Sequence, residues 1–489
     1  MRNRPRRYRI DLATAALLAA LGTAAPGTSV TRAAAQEMDV LAGIDARADR
    51  YADLGHRIWE LAEVGYQEDE SSALLQAELE AAGFAIESGV AGMPTAFVAN
   101  WGSGGPVIGL LAEFDALPGL SQAAVPERRP IVTDAPGHAC GHHLFGAGSV
   151  AAAIAVKEWL ERSGRAGTIR LYGTPAEEGG AGKVYMVREG LFEDVDIVLH
   201  WHPGDDNSAQ AWSSLANKSA KFRFHGYSAH AAGAPERGRS ALDGVEAMND
   251  MVNLLREHVP QETRIHYVIT RGGFAPNVVP DFAEVYYYVR HPDAGTVREL
   301  FERVVNAGRG AALGTDTEME YEVIHGIYDL LPNVAVAEVV DAKLREVGGV
   351  EYTEAERAFA TRIQATFEDG STSPLGSESE IAEFGVSSMS GSTDVGDVSW
   401  VVPTAGLSAA TWVPGTSAHS WQAVAAGGTS IGAKGMVVAA KTLALTAIEL
   451  YDSPSVIEAA WEELRERRGA DFEYVSLIGD RAPPLDYRR

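Results

Sequence analysis

Residues 168–180 read TIRLYGTPAEEGG. Thr168 to Gly173 form a short run of β-branched, aromatic and apolar residues, the composition of a strand. Pro175 closes the run, and Glu177 and Glu178 follow at once, with glycines at 179 and 180. Adjacent glutamates are ordinarily a solvated surface pair. Here they leave the carboxyl end of a strand, which is where the chemistry of an open parallel sheet collects. Whether this strand lies in such a sheet therefore decides both fold and function.

The flanking sequence supplies the sheet. Upstream, PVIGLLAEFDALPG (106–119) is a short apolar run ending at Phe114–Asp115, and GAGSVAAAIAVKEWLER (146–162) is helical. Downstream come the helix KVYMVREGLF (183–192) and the strand DIVLHWHP (196–203). Earlier, 45–62 and 71–82 carry Leu, Ile and Ala at helical spacing. Strands alternating with helices predict an α/β domain, a mainly parallel sheet covered by helices on both faces.

The pattern changes near residue 215. SAKFRFHG, LDGVEAMNDMVNLLREH, RIHYVITRGG, DFAEVYYYVRH, TVRELFERVVNAGRGAAL and TEMEYEVIHGIYD run in the order β-α-β-β-α-β. That is a complete ferredoxin-like α+β unit. After Leu331 helices resume, followed by a Gly/Ser-rich stretch and a long Ala-rich helix from about 430 to 451. The expected organisation is a catalytic domain in two pieces, 36–214 and 331–475, interrupted by an inserted α+β domain at 215–330. The Pro/Arg-rich residues 476–489 read as a loose C-terminal tail.

Residues 1–35 stand apart. Five arginines precede residue 10, an Ala/Leu-rich run follows, and TRAAAQ offers a small-residue cleavage site near Ala35. This three-part pattern predicts an export signal and a periplasmic or secreted protein, and RRYRIDL is a weak match to twin-arginine export. The chain of 489 residues has a formal net charge of −26. That charge disfavours nucleic acid and anionic membrane as partners. No later apolar run reaches the roughly 20 residues of a membrane span. A single cysteine excludes an intramolecular disulfide.

That cysteine lies in GHACGHHLFG (137–146), with His138, His142 and His143 around it. Cys140 and His142 in C-x-H spacing can face one ion, the intervening glycine allowing a tight turn. The chain has no second cysteine, so a structural zinc finger is excluded. On local grounds Cys140 could equally be a nucleophile with a neighbouring histidine as base, or a buried thiol. His200 and His202 share a face of the strand ending VLHWHPG. His419 sits in the Gly/Ser loop WVPGTSAHSWQ, and His230 in a small-residue loop of the inserted unit. Asn277, in a turn, and Arg290, at a strand end, would make a reasonable clamp for a carboxylate.

Taken together, HACGH, AEEGG, WHP, SAHAAGAP…GRSALD, APNVVP…AEVYYYVR and HSWQ occur in an order that resembles the zinc aminoacylase/carboxypeptidase metallopeptidase family. Within it they resemble the amidohydrolase branch. FDALPGLSQ, MVREGLFEDVD, STDVGDVSW and TSIGAKGM are most similar to its p-aminobenzoyl-glutamate hydrolase group. The likeness runs from about residue 40 to 455. It implies two divalent ions, zinc or manganese, held by Cys140, His142, Glu178, His202 and His419, with Glu177 as general base and acid. It implies that His230 reaches the partner's site in a homodimer, that Asn277 and Arg290 hold the substrate carboxylate, and that the inserted unit is a lid and dimerisation domain. His202 is taken over His200 because WHP is the matching segment. No role follows for His138, His200 or Asp115, and His143 stands where the branch often has Asp or Asn.

The activity so implied is hydrolysis of the amide of an N-acyl or N-aroyl amino acid of p-aminobenzoyl-glutamate type, with a different second chain as a further expected partner. The alternatives are an auxin-conjugate or dipeptide/carboxypeptidase-type hydrolase, a Cys140-nucleophile hydrolase, and a non-enzymatic binding protein.

Overall fold

The computed structural model describes residues 37–209, 211–368, 373–388 and 391–488. The expected export segment, 1–35, lies outside them. The strands in chain order are β1 (Ala85–Ser88), β2 (Phe97–Ser103), β3 (Val107–Ala112), β4 (Gly167–Gly173), β5 (Ile197–Gly204), β6 (Ala211–Ser213), β7 (Ala216–His225), β8 (Arg264–Arg271), β9 (Phe282–His291), β10 (Glu318–Ile327), β11 (Val386–Ser388) and β12 (Thr404–Ala410). The helices used below are α1 (Ala48–Leu61), α2 (His142–Ser163), α3 (Gly182–Arg188), α4 (Ala241–Leu255), α5 (Ala294–Thr315), α6 (Glu354–Gln364) and α7 (Ser430–Asp452).

The larger sheet has the order β1-β2-β4-β3-β5-β12. The β4–β3, β3–β5 and β5–β12 pairs are parallel, while β1 and β2 add an antiparallel edge. Parallel neighbours need crossovers, and α2 and α3 provide two of them. The expected mainly parallel α/β domain is therefore observed, with a mixed edge. Helix α2 is apolar nearly all round because it is buried on both sides, against the sheet and against α7. Small residues permit that closeness: a Cβ on Gly148 would come within 2.9 Å of the Trp201 ring. Helix α7 is long and apolar enough for a membrane span by length and composition. It is a core helix here, with 78% of its apolar window buried within the protein.

The inserted unit forms a second, antiparallel sheet in the order β10-β7-β9-β8. Helices α4 and α5 pack on one face, closing a separate core around Phe222, Met248, Val285, Tyr287 and Val304. Strand alternation places Val285, Tyr287 and Val289 in that core. Tyr286, Tyr288 and Arg290 therefore turn to the other face of β9.

The C-terminal segment corrects the sequence reading. Residues 476–488 are not a loose tail. Leu477 and Ile478 are buried, and Leu485 and Tyr487 pack against the main core. Arg188 donates to the carbonyl of Arg481 at 2.7 Å, and Arg481 donates to the carbonyl of Ile324 on β10 at 3.1 Å. The proline and arginine content that suggested disorder is outweighed by four apolar anchors and these backbone contacts.

Candidate metal centre

Strands β3, β4, β5 and β12 run parallel, so their carboxyl ends open at one edge of the sheet. Glu113 and Asp115 follow β3, Glu177 and Glu178 follow β4, and His202 is near the end of β5. Cys140 and His142 arrive at the amino end of α2. Gly141 between them has φ +77, and a Cβ there would meet Pro203 at 2.6 Å, so the turn requires glycine. His419, after β12, is held at φ +59, uncommon for a non-glycine residue, and its N–H donates to the carbonyl of Ala139 at 2.9 Å.

Donor atoms of Cys140, His142 and His202 lie within 4.8 Å of one another, as do those of Cys140, Glu178 and His419, and those of Glu113, His142 and Glu177. Cys140 Sγ is 3.5 Å from His202 Nε2, and His419 Nε2 is 3.3 Å from Glu178 Oε1. The two groups sharing Cys140 give the layout that two neighbouring ions would need. His142 Nε2 faces Glu113 Oε2 at 3.1 Å and Glu178 Oε1 faces His419 Nε2 at 3.3 Å, and none of the first three makes a hydrogen bond of good geometry. Buried polar atoms are rarely left so. A thiol, three imidazoles and carboxylates converging without well-made hydrogen bonds among them fit a divalent transition metal.

The electrostatics agree with that fit. Burial pushes the Cys140 thiol up, and the nearby Glu178 carboxylate adds to this. Metal-free, it would be a protonated thiol and a poor nucleophile at neutral pH. Burial also raises Glu177 well above the ordinary carboxylate range, reinforced by Glu113, Glu178 and Asp394. Burial acts to lower His142, but Cys140, Glu113 and Asp115 hold it well above its usual value. His202 is lowered by burial and by His142. A crowd of buried acids and imidazoles is the arrangement a cation stabilises.

Several residues the sequence reading left without a role acquire one. Asp115 accepts from His142 Nδ1 at 2.8 Å through one oxygen and from the Glu178 backbone N–H at 2.9 Å through the other. It thereby fixes the ring and turns Nε2 toward the site. His138 and His143 bond the backbone carbonyls of Ile58 and Gly427, at 3.0 and 3.1 Å, which tie the loop to α1 and to the turn before α7. His200 is buried beside Gly406 and belongs to none of the three ligand groups. Glu113 was missed altogether, as were Lys183 and Asp394. Lys183, fully buried, contacts Glu113 at 2.6 Å and Asp394 at 2.7 Å. The only local signal was that Glu113 stands two residues before Asp115, on the same side of an extended segment.

The residues of the inserted unit do not join the site as one group. His230 and Asn277 are exposed neighbours, linked by the Ala231 N–H to the carbonyl of Asn277 at 3.0 Å. Asn277 precedes the start of β9, while Arg290 is at its far end. At ~3.4 Å per residue the length of β9 between Phe282 and Arg290 is about 27 Å. Asn277 and Arg290 of one chain thus cannot form the expected clamp, because an extended strand separates them.

Comparison with known proteins finds relatives over most of the chain. The peptidase dimerisation domain family matches residues 216–316. A p-aminobenzoyl-glutamate hydrolase subunit of Escherichia coli (strain K12) is 41% identical over 446 residues, covering 86% of this chain and 93% of that protein. A Xaa-Arg dipeptidase of Mus musculus is 30% identical over 463 residues, covering 90% and 95%. Among solved structures, an aminobenzoyl-glutamate utilization protein from Klebsiella pneumoniae superposes with TM-score 0.59 at 19% identity, covering 83% of this chain and 97% of that one. A dinuclear metal-binding peptidase of the M20 family from Bacillus subtilis gives 0.55 at 17%, covering 83% and 99%.

Proposed function

The chain belongs to the M20 peptidase family of hydrolases, and from that membership we propose a dinuclear metal-dependent amidohydrolase acting on N-acyl or N-aroyl amino acids of the p-aminobenzoyl-glutamate type. The observation that carries this reading is the convergence of Cys140, His142, Glu178, His202 and His419 beside the half-buried Glu177. Two bound divalent ions, zinc or manganese, would supply a water of lowered pKa and polarise the amide carbonyl. Glu177, whose carboxylate lies among the candidate ligand atoms with Glu113 and His142, would take the water's proton and return it to the leaving amine.

His230 serves as oxyanion donor in the neighbouring protomer's site. Its Nδ1 accepts the backbone N–H groups of Ala232 and Gly233, at 3.2 and 3.0 Å, so the ring proton resides on the outward Nε2. Its separation from the metal ligands of its own chain, together with Asn277, fits service to a second copy. The lid supplies a dimer edge: β8 is an edge strand of its sheet and exposes Tyr267, Val268 and Ile269. Each site would then combine its own Arg290 with Asn277 and His230 of the partner subunit. We place the protein outside the cytoplasm on the basis of the leader-like residues 1–35, which a sequenced amino terminus near residue 36 would test.

The test of the activity is a panel of N-acyl glutamate, aspartate, arginine and indole-3-acetyl conjugates, assayed with wild type and Glu177→Gln at measured metal content. Wild type should cleave the aroyl glutamate, and the variant should lose roughly 100-fold or more in kcat with its metal retained. Near-wild-type turnover by the variant would remove Glu177 from the mechanism, and preference for the arginine conjugate would favour the dipeptidase reading.

A further inference from the structure

The lid face of β9 that looks away from its own core carries Tyr286, Tyr288 and Arg290 in alternate positions. The two tyrosine hydroxyls are 3.2 Å apart, and the Arg290 guanidinium lies 5.4 Å from the Tyr288 ring. Beside the candidate ligands stands Arg488, brought there by the docked C-terminal segment. Arg488 donates to the carbonyl of Glu178, and a Cβ on Gly179 would sit 3.6 Å from its Nη2. The position is held from both domains. Arg481 anchors the segment to β10, Tyr487 packs edge-on to Tyr66 with ring centroids 5.7 Å apart, and its hydroxyl donates to the carbonyl of Glu178 at 3.4 Å.

Two features mark these arginines. The chain has 67 acidic residues against 41 Lys and Arg. Yet among the described residues neither Arg290 nor Arg488 is in an ion pair, and the Nε of each is buried without a hydrogen-bond partner. Arg488 spends one donor on the carbonyl of a candidate ligand and has no carboxylate against it, so its remaining guanidinium donor can meet an anion from outside.

We propose that Arg488 is a specificity-determining residue of the cleft, binding the side-chain carboxylate of the substrate's amino-acid half while Arg290 binds its α-carboxylate. The substrate class is then N-acyl derivatives of acidic amino acids, glutamate or aspartate, rather than of neutral or basic ones. A cation at this position also opposes an arginine side chain, which separates this site from a Xaa-Arg specificity. The inference rests on the amidohydrolase reading and deepens it.

The experiment compares p-aminobenzoyl-glutamate with p-aminobenzoyl-glutamine in wild type, Arg488→Ala and Arg488→Lys. Wild type should favour the glutamate substrate. Arg488→Ala should lose roughly 10- to 100-fold in kcat/KM on that substrate, mainly through KM, and change by less than about threefold on the glutamine analogue. Arg488→Lys should restore part of the preference, with thermal stability unchanged across the set. Equal turnover of both substrates by wild type, or equal loss on both in Arg488→Ala, would overturn the assignment and leave the amidohydrolase reading standing. A wild type inactive on both would overturn that reading, and this one with it.

Discussion

Asp115 bonds His142 and Glu178 at the same time, one oxygen 2.8 Å from the His142 Nδ1 and the other 2.9 Å from the Glu178 backbone N–H. One buried carboxylate thus orients two candidate metal ligands that are 36 positions apart in the chain. Its own burial would raise its pKa, but His142 and the Glu178 N–H hold it below the usual range, so it is an anion and His142 Nδ1 carries the proton. Asp115→Asn removes the charge but keeps the shape. Metal affinity should fall about 10- to 100-fold in a competition titration against a chelator, with the fold retained. An unchanged affinity would reduce Asp115 to a structural bond.

Metal uptake should release protons. Without metal the Cys140 thiol is pushed up by burial and His142 is held well above its ordinary value, so both are protonated at pH 7. Both must lose a proton to bind a cation. Titration in buffers of different ionisation enthalpy should show about two protons released, and affinity should rise with pH by up to about 100-fold per unit. Binding without proton release would be incompatible with Cys140 as a ligand. Cys140→Ser should release one proton fewer.

Shared sites can be tested by complementation. Glu177→Gln and His230→Ala should each be nearly inactive alone. If His230 acts across the interface, a mixed dimer carries one site with both wild-type groups. Random reassortment makes half of the dimers mixed, so the mixture should recover about a quarter of wild-type turnover. No recovery after exchange of protomers, verified by size and a tag on one partner, would place His230 in its own chain's site.

Acid stability should depend on Glu356. Its burial alone would raise its pKa, but Lys434 at 2.6 Å, Ser430 at 2.5 Å and the N-cap residue Thr353 bring it from 4.5 to about 2. A folded pKa below the unfolded one means the contribution is complete above pH 4.5 and is lost as the pH falls toward 2. By linkage it is worth roughly 3 kcal/mol at neutral pH. Glu356→Gln should lower the melting temperature at pH 7 and weaken its dependence on pH between about 5 and 2. The same slope in variant and wild type would show that other carboxylates set the acid limit.

Much of this protein is legible in local sequence. Period-2 and period-3.6 patterns are local properties, so the strands around Thr168–Gly173 and the β-α-β-β-α-β order of the inserted unit could be read without coordinates. Once the sheet was expected to be parallel, its carboxyl ends pointed to Glu177, Glu178 and the pair His200 and His202, of which the family resemblance chose His202. The motif HACGH named Cys140 and His142 for the same reason: short spacing across a glycine turn limits where two side chains can go.

Tertiary structure decided the rest, because it depends on which distant segments burial brings together. Nothing near Glu113 announces that Lys183 and Asp394 will share its pocket, since a buried charge is recognised only by its partners. His138 and His143 look like ligands beside Cys140 and prove to be bonded to the carbonyls of Ile58 and Gly427. Asn277 and Arg290 look like one clamp and lie at opposite ends of a strand, because sequence motifs do not record how far an extended segment carries them apart. Residues 476–488, polar enough to suggest a free tail, are held by a few apolar side chains and carry Arg488 to Glu178. Local pattern determines what each segment becomes, and long-range burial determines what each side chain meets.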